Sequence, residues 1–273
     1  RLAAARRFMP VDGYTDPARD VALAASSEFL GSGFDHFDPL LNPDDGQVRL
    51  EVKDRDGGVR TVTAPRIGYG AFRALSGETR WRNFSDDGAV RLDRPAPGVA
   101  VLTVETFVNY RTPVAASSVF ESLIRPLNEA GVETLIVDLR RNGGGSVDVQ
   151  LALLAHLTRA ETVRVGEQTF VSSYDFTGLR DHIRTWDPSA LDPDPARFIE
   201  HPEGGYTLAA GVNSLETPVD RAPHAFTGEV VLLTSRANAS GVTQMLGALR
   251  DEAHVTLIGE ETGGSQEGPT AGV

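Results

Sequence analysis

The 273-residue chain contains no cysteine and a single lysine, Lys53, against 25 arginines. Without cysteine there is no disulfide framework, no thiolate nucleophile and no cysteine-based zinc site. No apolar run approaches the ~18 residues that a membrane-spanning helix needs, and the opening stretch RLAAARRFMP is basic and amphipathic, unlike a signal peptide. An excess of positive charge is also missing. The formal net charge is -12, which excludes a nucleic-acid backbone or an anionic membrane as the main partner, since both require clustered cations. No GK[ST] phosphate loop, GxGxxG fingerprint, HExxH pair or cluster of carboxylate ligands occurs, so neither a metal nor an organic cofactor is implied. The chain opens at Arg1 and stops within GPTAGV, a pattern that predicts a fragment at both ends, with the C-terminus truncated.

Two modules are expected. In QVRLEVKDRDGGVRTVTAPR, Val48, Leu50 and Val52 alternate with polar residues, Asp56-Gly57-Gly58 turns the chain, and alternation resumes from Val59, the pattern of a β-hairpin. Residues 1–66 form the smaller module and 67–96 a linker ending in the turn-forming RPAPG. The core, residues 97–273, opens with the apolar strand GVAVLTVETF. A helix follows from Val114, with Val119, Phe120, Leu123, Ile124 and Leu127 on one face and Pro126 weakening its last turn. Strand VETLIVDL, the glycine turn RNGGGS and a helix with Val147, Leu151 and Leu154 on one side complete a β-α-β-α order. That order implies an α/β fold with parallel strands covered by helices. Residues 166–227 interrupt it as a long insertion. Strand EVVLLTS, a helix from Ser240 and strand HVTLIG then resume it, with Val242, Met245, Leu246 and Leu249 on the buried face.

Ser240 has two readings. A serine at a helix start is a good N-cap, its oxygen accepting from a free backbone N–H. Equally, the N–H groups and the positive end of the helix favour negative charge beside the hydroxyl, which suits a nucleophile attacking a carbonyl. The glycine turn of DLRRNGGGS brings further backbone N–H groups to the carboxyl ends of parallel strands, where open α/β sheets bind ligands.

LIVDLRRNGGGS, together with VLLTSRANASGVTQMLGALRDEAHVTLIGEETGG, resembles the core of the C-terminal processing, or tail-specific, serine proteases, relatives of tricorn protease. The resemblance covers roughly residues 97–165 and 227–273. It implies a crotonase-like layered α/β core with a mostly parallel sheet, preceded by a partial PDZ-like β-rich module to which the hairpin would belong. It also implies a polypeptide substrate, with Ser240 as nucleophile and the N–H groups of Gly241 and Gly144 as the oxyanion hole. By resemblance alone the protein is expected in the periplasm, the cell envelope or the secreted fraction. Its oligomeric state is not indicated.

Two departures stand out. The Ser-Lys members place their base 25 residues beyond the nucleophile, where this chain has Ser265. The tricorn-like members use a histidine on the first core strand, where it has Thr103. Lys53 belongs to the polar face of its strand, Asp138 and Arg140 to a structural pair, and His36, His156, His182, His201, His224 and His254 to loop, helix and strand ends. Glu260 and Glu261 become candidate proton acceptors if burial raises their pKa. The general base is therefore unassigned. Two alternatives remain, a non-catalytic ligand-binding relative on the same fold and a small-ester hydrolase.

Overall fold

The computed structural model describes residues 46–68 and 82–264 apart from 167, 184, 186 and 217, and, outside these stretches, residues 7, 16, 19 and 71. The chain divides into two compact units, Arg1–Trp81 and Arg82–Val273. His36 and Ser265 lie outside the described residues.

In the first unit, β1 (Gln47–Lys53) pairs antiparallel with β2 (Val59–Pro65) in the register Gln47↔Pro65 to Lys53↔Val59. Period-2 alternation sets its two faces: Val48, Leu50 and Val52 are half-buried, while Lys53 is exposed. The turn closes through Gly57 N–H to the Asp54 carbonyl at 3.0 Å and Asp54 N–H to the Gly58 carbonyl at 2.8 Å.

The second unit is built on a five-stranded sheet. The span expected as linker supplies its edge: β3 (Val90–Ala96) runs antiparallel to β4 (Val99–Val104), and Phe84 and Ala89, just ahead of it, are buried. The register shifts between Asp93 and Ala96, where Pro95 has no N–H to give a ladder, a defect tolerated on an edge strand. Helix α1 (Ala116–Glu129) leads to β5 (Thr134–Asp138), which lies parallel to β4. Pro126 does not end α1: the helix continues to Glu129 because Phe120, Ile124 and Leu127 anchor its face in the core.

Helix α2 (Val147–Leu157) packs between α1 and the last helix. It therefore buries Val149, Gln150, Ala152, Leu153, Leu154, His156 and Leu157 on several sides, where one stripe was expected. The insertion that follows contains β6 (Thr162–Val163), β7 (Phe170–Val171), β8 (Phe198–Glu200), β9 (Tyr206–Leu208) and β10 (Val219–Asp220). Strands β7, β9 and β8 make a small antiparallel sheet with Tyr174 stacked on Phe198, and β10 pairs with β6.

Strand β11 (Glu229–Thr234) returns to the main sheet parallel to β5, α3 (Gly241–Leu249) crosses, and β12 (Val255–Gly259) closes the far edge parallel to β11. The order β12-β11-β5-β4-β3 adds each parallel strand on the same side of the last, and right-handed crossovers then stack the three helices on one face. The sheet is thus mixed, mostly parallel and layered on helices. Among the described residues, no helix is long and apolar enough to cross a membrane.

Candidate functional site

Three loops leave the carboxyl ends of β5, β11 and β12, and two asparagines tie them together. Asn238 is fully buried. Its Nδ2 donates to the carbonyls of Leu139 (2.6 Å) and Asn142 (2.9 Å), its Oδ1 accepts from Ser235 N–H (2.7 Å), and its own carbonyl accepts from the N–H groups of Gly263 and Gly264. Asn142, also fully buried, donates from Nδ2 to the Val104 carbonyl at 3.1 Å and accepts Gly144 N–H on Oδ1 at 2.9 Å. A buried amide that satisfies several backbone groups fixes them, because freeing any one leaves it unpaired away from water. Nothing in the sequence separates these asparagines from ordinary turn formers, and reading the residues one by one missed both.

The glycine turn sits against the serine turn. A Cβ on Gly144 would lie 2.8 Å from the Ser240 Cβ, 2.9 Å from the Ala239 carbonyl oxygen and 3.2 Å from Gly241 N, and Gly144 itself has φ +103°. Only glycine permits both that conformation and that approach. Gly241 is equally confined, since a Cβ there would meet Gln150 Oε1 at 2.7 Å. Gln150, 1% exposed, reaches across from α2 and donates to Gln244 Oε1 at 3.3 Å.

Ser240 occupies the N-cap position of α3, yet its side chain makes no capping hydrogen bond. It has φ +50° and ψ -128°, and it is the one non-glycine residue with positive φ among the described residues. The helix-capping explanation therefore fails: a capping serine has extended backbone and an engaged oxygen. Holding a residue in this region costs roughly 1–3 kcal/mol, a strain that persists where the surroundings impose it and that clusters at functional sites. Among the described residues, the half-buried Ser240 Oγ has no hydrogen-bond partner.

Free donors surround this turn. Gly241 N–H, at the start of α3, has no acceptor among the described residues. Gly144 N–H, expected as the second donor, is instead engaged by Asn142 Oδ1, which leaves it unavailable to a ligand in this arrangement. The N–H groups of Gly143 and Gly145 are unspent among the described residues. The Gly144 carbonyl accepts from Phe107 N–H at 3.0 Å. Across the trans peptide, Gly145 N–H then points away from Phe107.

The remaining candidates are placed elsewhere. Asp138 and Arg140 form a bidentate pair, Nε to Oδ1 at 2.9 Å and Nη2 to Oδ2 at 2.8 Å, and the Arg140 hydrogen bond holds the Asp138 carboxyl below its usual value. Glu260 departs from the expectation of a burial-raised carboxyl. It is half-exposed and bonded by Arg236 through Nε (3.1 Å) and Nη2 (2.5 Å), which lowers its pKa. Glu261 is exposed. His156 is buried, with Nδ1 2.7 Å from the Ala152 carbonyl and its pKa lowered by burial. His254 is buried with Nε2 2.9 Å from the Leu157 carbonyl. Thr103 is buried on β4 between Arg91 and Asp138 in register.

A mostly parallel sheet backed by helices, with its constrained turns gathered at the carboxyl edge, defines the chain as an α/β protein of the kind that binds ligands along that edge. The fold is similar to that of mature CPAF, solved in complex with lactacystin: TM-score 0.51, 16% identity, covering 95% of this chain and 61% of that one. The family model described as Peptidase family S41 matches residues 98–271, and the chain belongs to that family. Other similar structures are the photosystem II D1 C-terminal processing protease (TM-score 0.40, 16% identity, 80% of this chain and 44% of that one) and a lipoprotein from Streptococcus agalactiae (TM-score 0.38, 14% identity, 64% and 50%). The chain thus spans roughly half of the length of the solved structures it matches. A search of curated protein sequences finds no significant match.

Proposed function

We propose that the protein is a serine endopeptidase of the C-terminal processing type, cleaving polypeptides through an acyl-enzyme on Ser240. The observation that carries this reading is the Ser240 turn: strained backbone, a hydroxyl that caps nothing, and free amides beside it. In the proposed reaction Ser240 Oγ attacks the scissile carbonyl carbon while its proton passes to a base. The tetrahedral oxyanion is held by Gly241 N–H and, in place of Gly144, by Gly145 N–H. Collapse expels the protonated amine, and water then hydrolyses the ester. Each oxyanion donor contributes roughly 3 kcal/mol of transition-state stabilisation. The base is not assigned. Ser265, which stands at the family's lysine position, lies outside the described residues, and no described Lys, His or carboxylate is hydrogen bonded to Ser240 Oγ.

In this reading the β1–β2 hairpin belongs to a PDZ-like module, residues 1–66, that engages the polypeptide substrate, and the protein acts in the periplasm, the cell envelope or outside the cell. The test is turnover of an unstructured polypeptide by the full-length protein and by its Ser240→Ala variant. Loss of cleavage in the variant is expected, and retained cleavage overturns the assignment.

The unpartnered Oγ also favours a second reading, a non-catalytic ligand-binding protein on the same fold. Assaying peptides beside small esters separates the readings: peptide cleavage supports the endopeptidase, ester turnover alone a small-ester hydrolase, and binding without turnover the ligand-binding protein.

A further inference from the structure

A cavity of about 380 Å3 opens at the carboxyl edge of the sheet, lined by Arg91, Thr103, Glu105, Asp138, Arg140 and Arg141. The register sets Arg91 opposite Thr103 and Thr103 opposite Asp138, so these three project in a row across β3, β4 and β5. Leu102 and Val137, one residue back on their strands, point the other way into the helix-covered core. The cavity therefore belongs to the sheet face turned away from the helices.

Its charge is unusual for this chain. Glu105, with a side chain 12% exposed, is approached by Arg82 Nη1 at 2.7 Å, Arg91 Nη1 at 3.4 Å and Arg141 Nη1 at 3.6 Å. Asp138 is occupied by Arg140. Even with Asp93, which lies 3.7 Å from Arg91, guanidinium groups outnumber carboxylates four to three in a protein of net charge -12. Among the described residues, most of their hydrogen-bonding capacity is unspent. Arg141 has an 82% exposed side chain and donates no hydrogen bond among the described residues; its approach to Glu105 is a charge contact only. A guanidinium fork with free donors beside a recess is suited to bidentate recognition of a planar carboxylate.

We propose that this cavity is a subsite for a carboxylate carried by a bound polypeptide, with Arg141 as its main donor. The substrate assignment rests on the peptidase reading, whereas the recognition chemistry does not. Arg141 and Gly144 are three residues apart, so their Cα atoms are separated by at most about 11 Å, and Gly144 packs on Ser240. An extended peptide advances about 3.3 Å per residue. A carboxylate in the cavity therefore belongs to a residue about two to four positions from the bond presented to Ser240.

The experiment uses the full-length protein and fluorogenic peptides that differ by a single Glu-to-Gln exchange at each position two to four residues either side of the scissile bond. Each is made as the free acid and as the amide. For one position the Glu peptide is expected to show a KM about tenfold below its Gln counterpart at similar kcat, and Arg141→Glu is expected to abolish or invert that preference. Amidation separates the sources: a Glu-over-Gln preference that survives it assigns the carboxylate to a side chain, whereas a preference for the free acid over the amide, equal for Glu and Gln peptides, assigns it to a chain terminus. Peptides discriminated neither by the Glu-to-Gln exchange nor by amidation, or an Arg141→Glu effect equal on peptides with and without the preferred carboxylate, overturn the proposal. Fluorescence polarisation of the same peptides on the Ser240→Ala variant reads the subsite without turnover. Preferential binding there, alongside an inactive native protein, retires the peptidase reading and keeps the subsite; turnover without preference does the reverse.

Discussion

The contact between Gly144 and Ser240 makes the sharpest demand on a single residue. In a Gly144→Ala variant the new methyl would sit 2.8 Å from the Ser240 Cβ and 2.9 Å from the Ala239 carbonyl oxygen, on a backbone with φ +103°. The unfavourable conformation costs roughly 1–3 kcal/mol, and overpacking adds a similar amount. About 4 kcal/mol is the central value of the sum. For a unit of this size each kcal/mol lowers the melting temperature by about 2–4 °C, so a fall of about 8–16 °C is expected. The methyl also pushes on the serine turn, and a shift of about 1 Å there reduces reactivity on the order of 100-fold. Gly143→Ala is the control: its nearest contact, the Ala237 carbonyl oxygen, lies 3.8 Å from the added carbon and its φ is not positive, so stability should change by less than about 0.5 kcal/mol. The assays are a thermal melt and the rate of labelling of Ser240 by a fluorophosphonate probe. Equal melting temperatures and labelling rates for the two variants would refute the packing argument.

Asn238→Ala removes two donors and an acceptor from buried backbone groups and should destabilise the fold by about 2–4 kcal/mol in denaturant unfolding; a loss under about 0.5 kcal/mol would show that water replaces it. His156 is held neutral by burial, its pKa below the ordinary 6.5. The unfolded chain therefore binds the extra proton first, and stability that is intact above pH 6.5 should decline as the pH falls below it. In His156→Leu the melting temperature should lose that contribution to its dependence between pH 7.5 and 5.5, and an unchanged slope would assign it to other groups. Lys53→Met should leave the Ser240 labelling rate within twofold of native, because Lys53 is an exposed strand residue; a larger loss would give the lysine a role in the chemistry.

The parallel core was legible because its signals are local and strong. Apolar runs such as LIVD and VVLL, separated by helical patterns, fix strand, helix and strand again, and the glycine turn and the Ser240 turn are placed by where those runs stop. The hairpin followed from alternation around Asp56-Gly57-Gly58. Less was legible where tertiary contacts decide. Strand β3 lay hidden in RPAPG-flanked sequence, since an edge strand tolerates the proline that a central strand would not. Helix α2 reads as amphipathic but is buried on several sides because neighbouring helices flank it. At the site, position alone could not separate cap from nucleophile; the sign of φ at Ser240 and its idle hydroxyl are properties of the folded turn. The commitment of Gly144 N–H to Asn142 depends on a side-chain rotamer, which no spacing encodes.

Intact-mass analysis and peptide mapping of the full-length protein after treatment with a fluorophosphonate test the nucleophile directly. One adduct is predicted, on Ser240, absent from Ser240→Ala. A native protein that stays unmodified, or is modified on another residue, would contradict it.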